Sequence, residues 1–325
     1  MLTEAELQRE AAATGFRTEV LEKVHRLIEL LATLTRHPFL GPRVALKGGT
    51  ALNLFTFEIP RLSVDIDLNY IGSVERETML AERPKVEQAI QAVCGRLGIQ
   101  VRRAPAEHAG GKWRLSYGTS AGRSGTLELD VNFLQRTPLW PAEPGNSRSL
   151  GMLESIKVPV LDVHELAAGK LAALFGRDAS RDLFDSRELL LRGGLERKRL
   201  RLGFIVYGGA SRRDWREVSI DEVAADPVDV ERSLVPMLQR DLAPARAEIP
   251  GWTEKMVAEC KDGLTAVLPL EASERQFLDA LNDRGEIIPS LLTTDSRLQQ
   301  VIQTHPGLLW KALNVRRHRG VDEAE

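Results

Sequence analysis

The chain has 325 residues, with 44 Lys+Arg against 46 Asp+Glu and a formal net charge of −2, which excludes a uniformly basic coat for nucleic acid and leaves only a local patch. At 43% hydrophobic and 28% charged, its composition is that of a folded globular protein rather than a disordered one, and its length suits two domains. No apolar run is long enough for a membrane span, the opening MLTEAELQRE lacks the basic and apolar blocks of a signal peptide, and Cys94 and Cys260 are too few for a disulfide framework or a zinc site. The expectation is a cytoplasmic protein, with no membrane partner, that holds any metal through oxygen ligands.

Val20, Leu21, Val24, Leu27, Ile28 and Leu31 recur at the spacing of an amphipathic helix, predicted over 18–35. His37-Pro38 and Gly41-Pro42 break it, and Val44-Ala45-Leu46 reads as a buried strand entering a tight turn at Lys47-Gly48-Gly49-Thr50. A short helix over 51–57 is stopped by Pro60. A strand over 62–69, a helix over 75–97 and a strand over 99–103 follow, then two strands over 113–117 and 127–134 joined by a Gly/Ser turn at 118–125. Pro141, Pro144, Gly145, Asn146 and Ser147 predict a loop or linker, and from Asp162 onward nearly every segment has helical periodicity. The division expected is an N-terminal α/β lobe over 1–150 and a mainly helical lobe over 151–325, with no internal repeat.

The most informative stretch is Lys47-Gly48-Gly49-Thr50 followed by Arg61-Leu62-Ser63-Val64-Asp65-Ile66-Asp67-Leu68. Side chains alternate faces along a strand, so Ser63, Asp65 and Asp67 share one face, and Leu62, Val64, Ile66 and Leu68 share the other. Two carboxylates roughly 6–7 Å apart at Cα can converge on metal ions. Without a cation they repel each other. On the strand Leu127–Phe133 the same alternation puts Glu128, Asp130 and Asn132 on one face, and Asp130 is the best third ligand. Magnesium or manganese suits a few carboxylates completed by phosphate oxygens and water. Gly48-Gly49-Thr50 lets the backbone approach a phosphate, and the following helix N-terminus directs its N–H groups at the anion. Arg61 serves either triphosphate charge or an ion pair with Glu58. Together these parts describe a nucleoside-triphosphate site for phosphoryl or nucleotidyl transfer.

In the second lobe, Asp162-Val163-His164-Glu165 has the form of a capping box opening a helix over 163–175. Lys170 lies four residues after Leu166 and four before Leu174, so it either snorkels to solvent or is directed into a cleft. The next helix opens on Arg181-Asp182-Leu183-Phe184-Asp185, with Asp182 and Asp185 on one face and an Arg181–Asp185 ion pair as the local alternative. Between Arg192 and Arg216, Arg197, Lys198, Arg199, Arg201, Arg212 and Arg213 form a local basic excess, with Tyr207 and Trp215 interleaved as candidates for stacking on unpaired bases. Lys311, Arg316, Arg317 and Arg319 make a second cluster. The alternative for both is a solvated helix face. His25, His37, His108, His164, His305 and His318 show no ligand spacing and read as structural or solvent-facing, and Trp310 reads as a core anchor.

The glycine turn followed by Asp65-Ile66-Asp67 resembles the nucleotidyltransferase superfamily pattern, and is especially similar to the AbiEii/AbiGii-like toxins of bacterial toxin–antitoxin and phage-abortive systems, which include the MenT nucleotidyltransferases. Glu165-Leu166-Ala167-Ala168-Gly169-Lys170-Leu171 and Arg181-Asp182-Leu183-Phe184-Asp185 match the same family. The segment between glycines and carboxylates is slightly longer than in the general superfamily. The resemblance spans about 21–315. It implies an α+β protein: a nucleotidyltransferase-fold lobe, with a mixed sheet and flanking helices, followed by the helical lobe. It also implies Lys170 and either Asp182 or Asp185 as active-site residues, and a cognate antitoxin as partner. The activity expected is metal-dependent transfer of NMP from NTP to the 3′ end of tRNA, with Asp65, Asp67 and Asp130 on the metal and Lys47, Gly48, Gly49, Thr50, Arg61 and Ser63 on the nucleotide. The alternatives are NMP or phosphoryl transfer to a protein hydroxyl, and a silent nucleotide-binding interaction module.

Overall fold

The structure is a computed structural model that describes residues 2–57, 60–103 and 110–319. Glu58 and His108 lie outside the described residues. The chain divides into two units: one of 1–136, 141–162 and 235–244, the other of 137–140, 163–234 and the remainder from Ala245.

The first unit opens with a helix absent from the sequence reading. In α1 (Glu4–Thr14) Thr3 accepts from the Glu6 N–H while the Glu6 carboxylate accepts the Thr3 N–H, a full capping box, and Gly15 ends the helix in a left-handed conformation. The periodic helix α2 spans Thr18–Arg36 and buries Val20, Leu21, Val24, Leu27, Ile28 and Leu31. Among the described residues seven strands form one mixed sheet: β1 (Val44–Lys47), β2 (Asp65–Tyr70), β3 (Gln100–Arg103), β4 (Gly110–Gly118), β5 (Ser124–Asn132), β6 (Glu143–Asn146) and β7 (Lys157–Val160). Their order is β3-β4-β5-β2-β1-β7-β6. One turn of α-helix, α3 (Gly48–Thr50), passes into a π-helical stretch at Ala51–Thr56, and α4 (Arg76–Arg96) lies between β2 and β3 in sequence. Leu46, Ile66, Leu68, Leu127, Leu129 and Val131 are buried on one face of the sheet, where α2 packs. The other face carries the polar residues.

The expected linker at 141–147 is a correction. Its Pro and Gly read as a break, yet β6 is an edge strand, where a proline's missing N–H is tolerated, and it pairs antiparallel with β7. β7 in turn pairs parallel with β1. That pairing moves the boundary from 150 to 162 and keeps both strands in the first unit. The strand expected from Leu62 starts only at Asp65, because the chain just before it is bonded elsewhere: Leu62 donates to the Met237 carbonyl, and Arg61 bridges to Leu238. This also explains why 235–244 returns to the first unit.

The second unit is helical, as expected: α5 (Val163–Gly176), α6 (Ser180–Arg192), α7 (Arg197–Gly209), the single turn α8 (Pro227–Asp229), α9 (Ile249–Gly263), α10 (Ala272–Asp279), α11 (Ser296–Gln303) and α12 (Pro306–His318), with several 3-10 and π turns between them. From Leu200 to Gly209 every residue of α7 is buried, so it is the helix around which the unit packs. A Cβ at Gly203 would stand 2.8 Å from the Ala168 Cβ, so this glycine permits the close approach of α5 and α7. The short segment 137–140 is held here because the Leu139 and Trp140 N–H groups donate to the buried Glu165 carboxylate. Among the described residues no helix is long and apolar enough to cross a membrane.

Candidate active site

The glycine turn is shaped by what lies against it. Gly48 has φ +71, and a Cβ there would fall 2.2 Å from Asp67 Oδ2, so the turn and the carboxylate touch at a place only glycine can occupy. A Cβ at Gly49 would meet Ser63 Oγ at 2.9 Å and Arg61 Nη2 at 3.2 Å. Arg61, Ser63 and Thr50 are all buried. Thr50 Oγ1 donates to the Asp65 carbonyl, Asn53 Nδ2 donates to the Gly49 carbonyl, and Arg61 Nη1 donates to the Leu62 carbonyl. Thr50, Ser63 and Arg61 therefore support the turn from beneath, while Lys47 and the Gly48-Gly49 backbone form its edge. The alternative pairing of Arg61 with Glu58 falls outside the described residues.

Strand register assembles the charged face. Lys47 of β1 stands beside Asp67 of β2, Asp67 beside Asp130 of β5, and Asp130 beside Lys112 of β4. One rung away, Asp65 stands beside Glu128 and Glu128 beside Arg114. Residues directly opposite on neighbouring strands share a face, so the sequence-derived set Asp65, Asp67 and Asp130 is brought onto one surface. Burial pushes the Asp130 carboxyl above its ordinary range; Lys47 and Lys112 oppose the rise and Asp67 adds to it. Such a site is short of positive charge, and its donors are hard oxygens, which suits Mg2+ or Mn2+ completed by substrate oxygens and water. Among the described residues no group of three or more His, Cys, Asp and Glu side chains is placed to hold a metal ion.

In the second unit Lys170 does not snorkel. Its Nζ is buried, 2.8 Å from Asp182 Oδ1 and 2.9 Å from Asp185 Oδ2, and Asp182 also takes Arg177 Nε at 2.5 Å. Asp185 faces Lys170. Burial raises the Asp182 carboxyl, but Lys170 and Arg177 outweigh it and hold the group below its ordinary value. Arg177 is a residue the sequence reading passed over as part of a turn. The i,i+5 separation from Asp182 across that turn is its only local signal.

Burial corrects the base-stacking expectation. Tyr207 lies within the unit with its hydroxyl donating to Glu165 at 2.8 Å, and Trp215 packs against Phe175 and Phe204. Neither ring is available to an unpaired base. The basic run is also partly spent inside the protein. Arg201 is buried against Glu274 and Glu271, Arg213 pairs with Glu222, and Arg216 bonds Asp214, Asp279 and Asp283. Arg199 lies over the Trp140 ring at 4.4 Å. Arg197, Lys198 and Arg212 remain exposed. Trp310 is a second correction: α12 buries Leu308 and Ala312 and leaves Trp310 exposed. His25 on Glu10, His37 on the Phe39 and Leu40 amides and His164 on the Glu196 amide are structural.

No curated protein matches the chain in sequence. Among solved structures it is similar to MenT4, a nucleotidyltransferase toxin from Mycobacterium tuberculosis H37Rv, with a TM-score of 0.57 and 20% identity over 95% of this chain and 99% of that one. That likeness is one of fold. The family model described as "Nucleotidyl transferase AbiEii toxin, Type IV TA system" matches residues 29–282, a stretch that holds the glycine turn, the carboxylate strands and the Lys170–Asp182–Asp185 cluster. Such enzymes use an NTP, generally with divalent metal, and the toxin of such a system has an antitoxin as its partner. The chain belongs to the AbiEii family of nucleotidyltransferase toxins of type IV toxin–antitoxin systems.

Proposed function

We propose that the protein transfers NMP from an NTP to the 3′ end of tRNA with the aid of Mg2+ or Mn2+, releasing pyrophosphate and blocking translation. The observation that carries this reading is the contact of the positive-φ Gly48 turn with Asp67, because it sets an anion-binding backbone directly against a carboxylate pair. Asp65 and Asp67 would hold the cation, with Asp130 as a third ligand. A cation bound there would neutralise phosphate charge and lower the barrier to attack at the α-phosphorus. Lys47 and the backbone of Gly48-Gly49 receive the triphosphate, while Thr50, Ser63 and Arg61 fix the shape of the turn. Lys170, whose ammonium Asp182 and Asp185 hold, is the active-site lysine that the family resemblance implies. An added nucleotide occupies the terminal hydroxyl that aminoacylation needs, which stops translation at charging. Incubation with each labelled NTP, Mg2+ and total tRNA tests the reading. Labelled tRNA that disappears with Asp65→Ala is the expected outcome, label on protein shifts the acceptor to a side-chain hydroxyl, and undiminished labelling by Asp65→Ala overturns the metal assignment.

A further inference from the structure

The sheet carries a basic shelf that the sequence reading did not single out. On the carboxylate-bearing face, Arg102 of β3 stands beside Arg114 of β4, Arg114 beside Glu128 of β5, and Glu128 beside Asp65. In the next rung Lys112 stands beside Asp130 and Asp130 beside Asp67. Arg102 is exposed, and the Lys112 and Arg114 side chains are 54% and 72% exposed. The opposite faces of these strands bury Trp113, Leu115 and Tyr117, so the three cations share the solvent side. Glu128 meets two of them, 2.9 Å from Lys112 and 3.8 Å from Arg114. Glu128 and Asp130 adjoin Lys112, and Glu128 lies 3.8 Å from Arg114, so the charge grows more positive outward along the sheet, from the carboxylates of β2 and β5 to Arg114 and Arg102 on β4 and β3. With strands about 4.8 Å apart, the shelf begins about 10 Å from β2 and extends to about 14 Å.

The direction of the reaction decides what such a shelf binds. In nucleotidyl transfer the attacking hydroxyl oxygen bonds to the α-phosphorus as the bond to the β-phosphate oxygen breaks, and the two oxygens lie roughly in line. Pyrophosphate, the leaving group, belongs at the glycine turn after β1, on one flank of β2. The attacking hydroxyl therefore comes from the other flank, over β5, and the shelf on β4 and β3 lies along that line. An NTP whose phosphates sit on the β1 flank does not need these cations, whereas the backbone of an incoming strand does.

We infer that Arg102, Lys112 and Arg114 form the track for the phosphate backbone of the acceptor RNA, leading its 3′ end to the carboxylates. The inference rests on the tRNA reading above. Total tRNA and labelled NTP are the probes. In Arg102→Ala/Lys112→Ala/Arg114→Ala the KM for tRNA rises tenfold or more while the KM for NTP stays, and the slope of log affinity against log salt flattens by about 2, at about 0.7 for each phosphate no longer neutralised. The charge-retaining Arg102→Lys/Lys112→Arg/Arg114→Lys keeps the wild-type slope, which separates lost charge from a disturbed sheet. Unchanged tRNA KM and slope in the alanine variant overturn the track, as does a rise confined to the NTP KM, which would give these cations to the triphosphate. Failure of the wild-type protein to label tRNA is a different result: it removes the acceptor reading, and the track falls with it.

Discussion

Replacing Lys170 by methionine keeps the length and apolar stem of the side chain and removes only its charge. In the structure that charge lies 2.8 Å from Asp182 and 2.9 Å from Asp185, whose side chains are 3% and 0% exposed. Removing one member of a buried ion pair costs about 3–5 kcal/mol, because the remaining charge has lost both water and partner. Asp182 retains Arg177, so the lower half of that range is expected, and at 2–4 °C per kcal/mol it corresponds to roughly 6–16 °C in melting temperature by calorimetry. The pH dependence carries a sign. Asp182 is held below its ordinary value in the folded protein, so its contribution is present above the unfolded value of about 3.9 and is lost as pH falls through the folded value. The wild type loses this stabilisation in acid and Lys170→Met keeps only the part that Arg177 supplies, so the deficit is largest near neutrality and shrinks as the pH is lowered toward 3. Adding Asp185→Asn restores part of it. A deficit below about 1 kcal/mol at pH 7, or one that does not change with pH, would falsify the assignment of Lys170 as the counter-ion of these carboxylates.

Gly48→Ala adds a methyl 2.2 Å from Asp67 Oδ2 at φ +71, so transfer activity falls at least about a hundredfold, as expected when a catalytic group moves by about 1 Å; activity within a few-fold of wild type would detach the turn from the site. Tyr207→Phe leaves Glu165 with one donor fewer, so stability drops about 1–3 kcal/mol in urea unfolding while tRNA affinity holds, and a selective loss of affinity would reinstate base stacking. Chelation by EDTA abolishes labelling and leaves the circular dichroism unchanged, and Mg2+ or Mn2+ restores activity; labelling that persists in EDTA removes the metal from the reaction.

The elements that position the chemistry were legible wherever local pattern and long-range pairing agree. Branched residues alternating around Asp65 and Asp67 dictate a strand with one apolar face, and the sheet gives it the central position that this face requires. Lys170 was ambiguous for a physical reason: helical periodicity says which way a side chain leaves its own helix, and nothing about the carboxylates on the next one. β6 was missed because Pro144 and Gly145 are evidence against a strand in the middle of a sheet and not at its edge. α1 was missed although its Thr3-x-x-Glu6 box is present in the sequence, because only three of its residues are buried and its apolar stripe is weak. Tyr207 and Trp215 illustrate the opposite error. Aromatic residues among arginines look alike in sequence whether the rings face solvent or fill a core.

The same distinction bears on where a nucleic acid would be held. Counted along the chain, the arginines between 192 and 216 are the denser cluster, yet Arg201, Arg213 and Arg216 are neutralised by Glu274, Glu222, Asp214, Asp279 and Asp283, so much of that charge closes on itself. Arg102, Lys112 and Arg114 are scattered in sequence and are gathered only by strand register, where Glu128 pairs with Lys112 and Arg114 and leaves both side chains largely in solvent. Counterion release depends on the cations a phosphate backbone can reach, and a guanidinium buried against glutamate contributes nothing to it. Arg197, Lys198 and Arg212, the exposed remainder of the helical cluster, are therefore the natural comparison. Neutralising them should flatten the salt dependence of tRNA binding if they are a second anchor, and the β3–β4 variant should still show the larger rise in KM, because its cations adjoin the carboxylates at which the 3′ end must arrive.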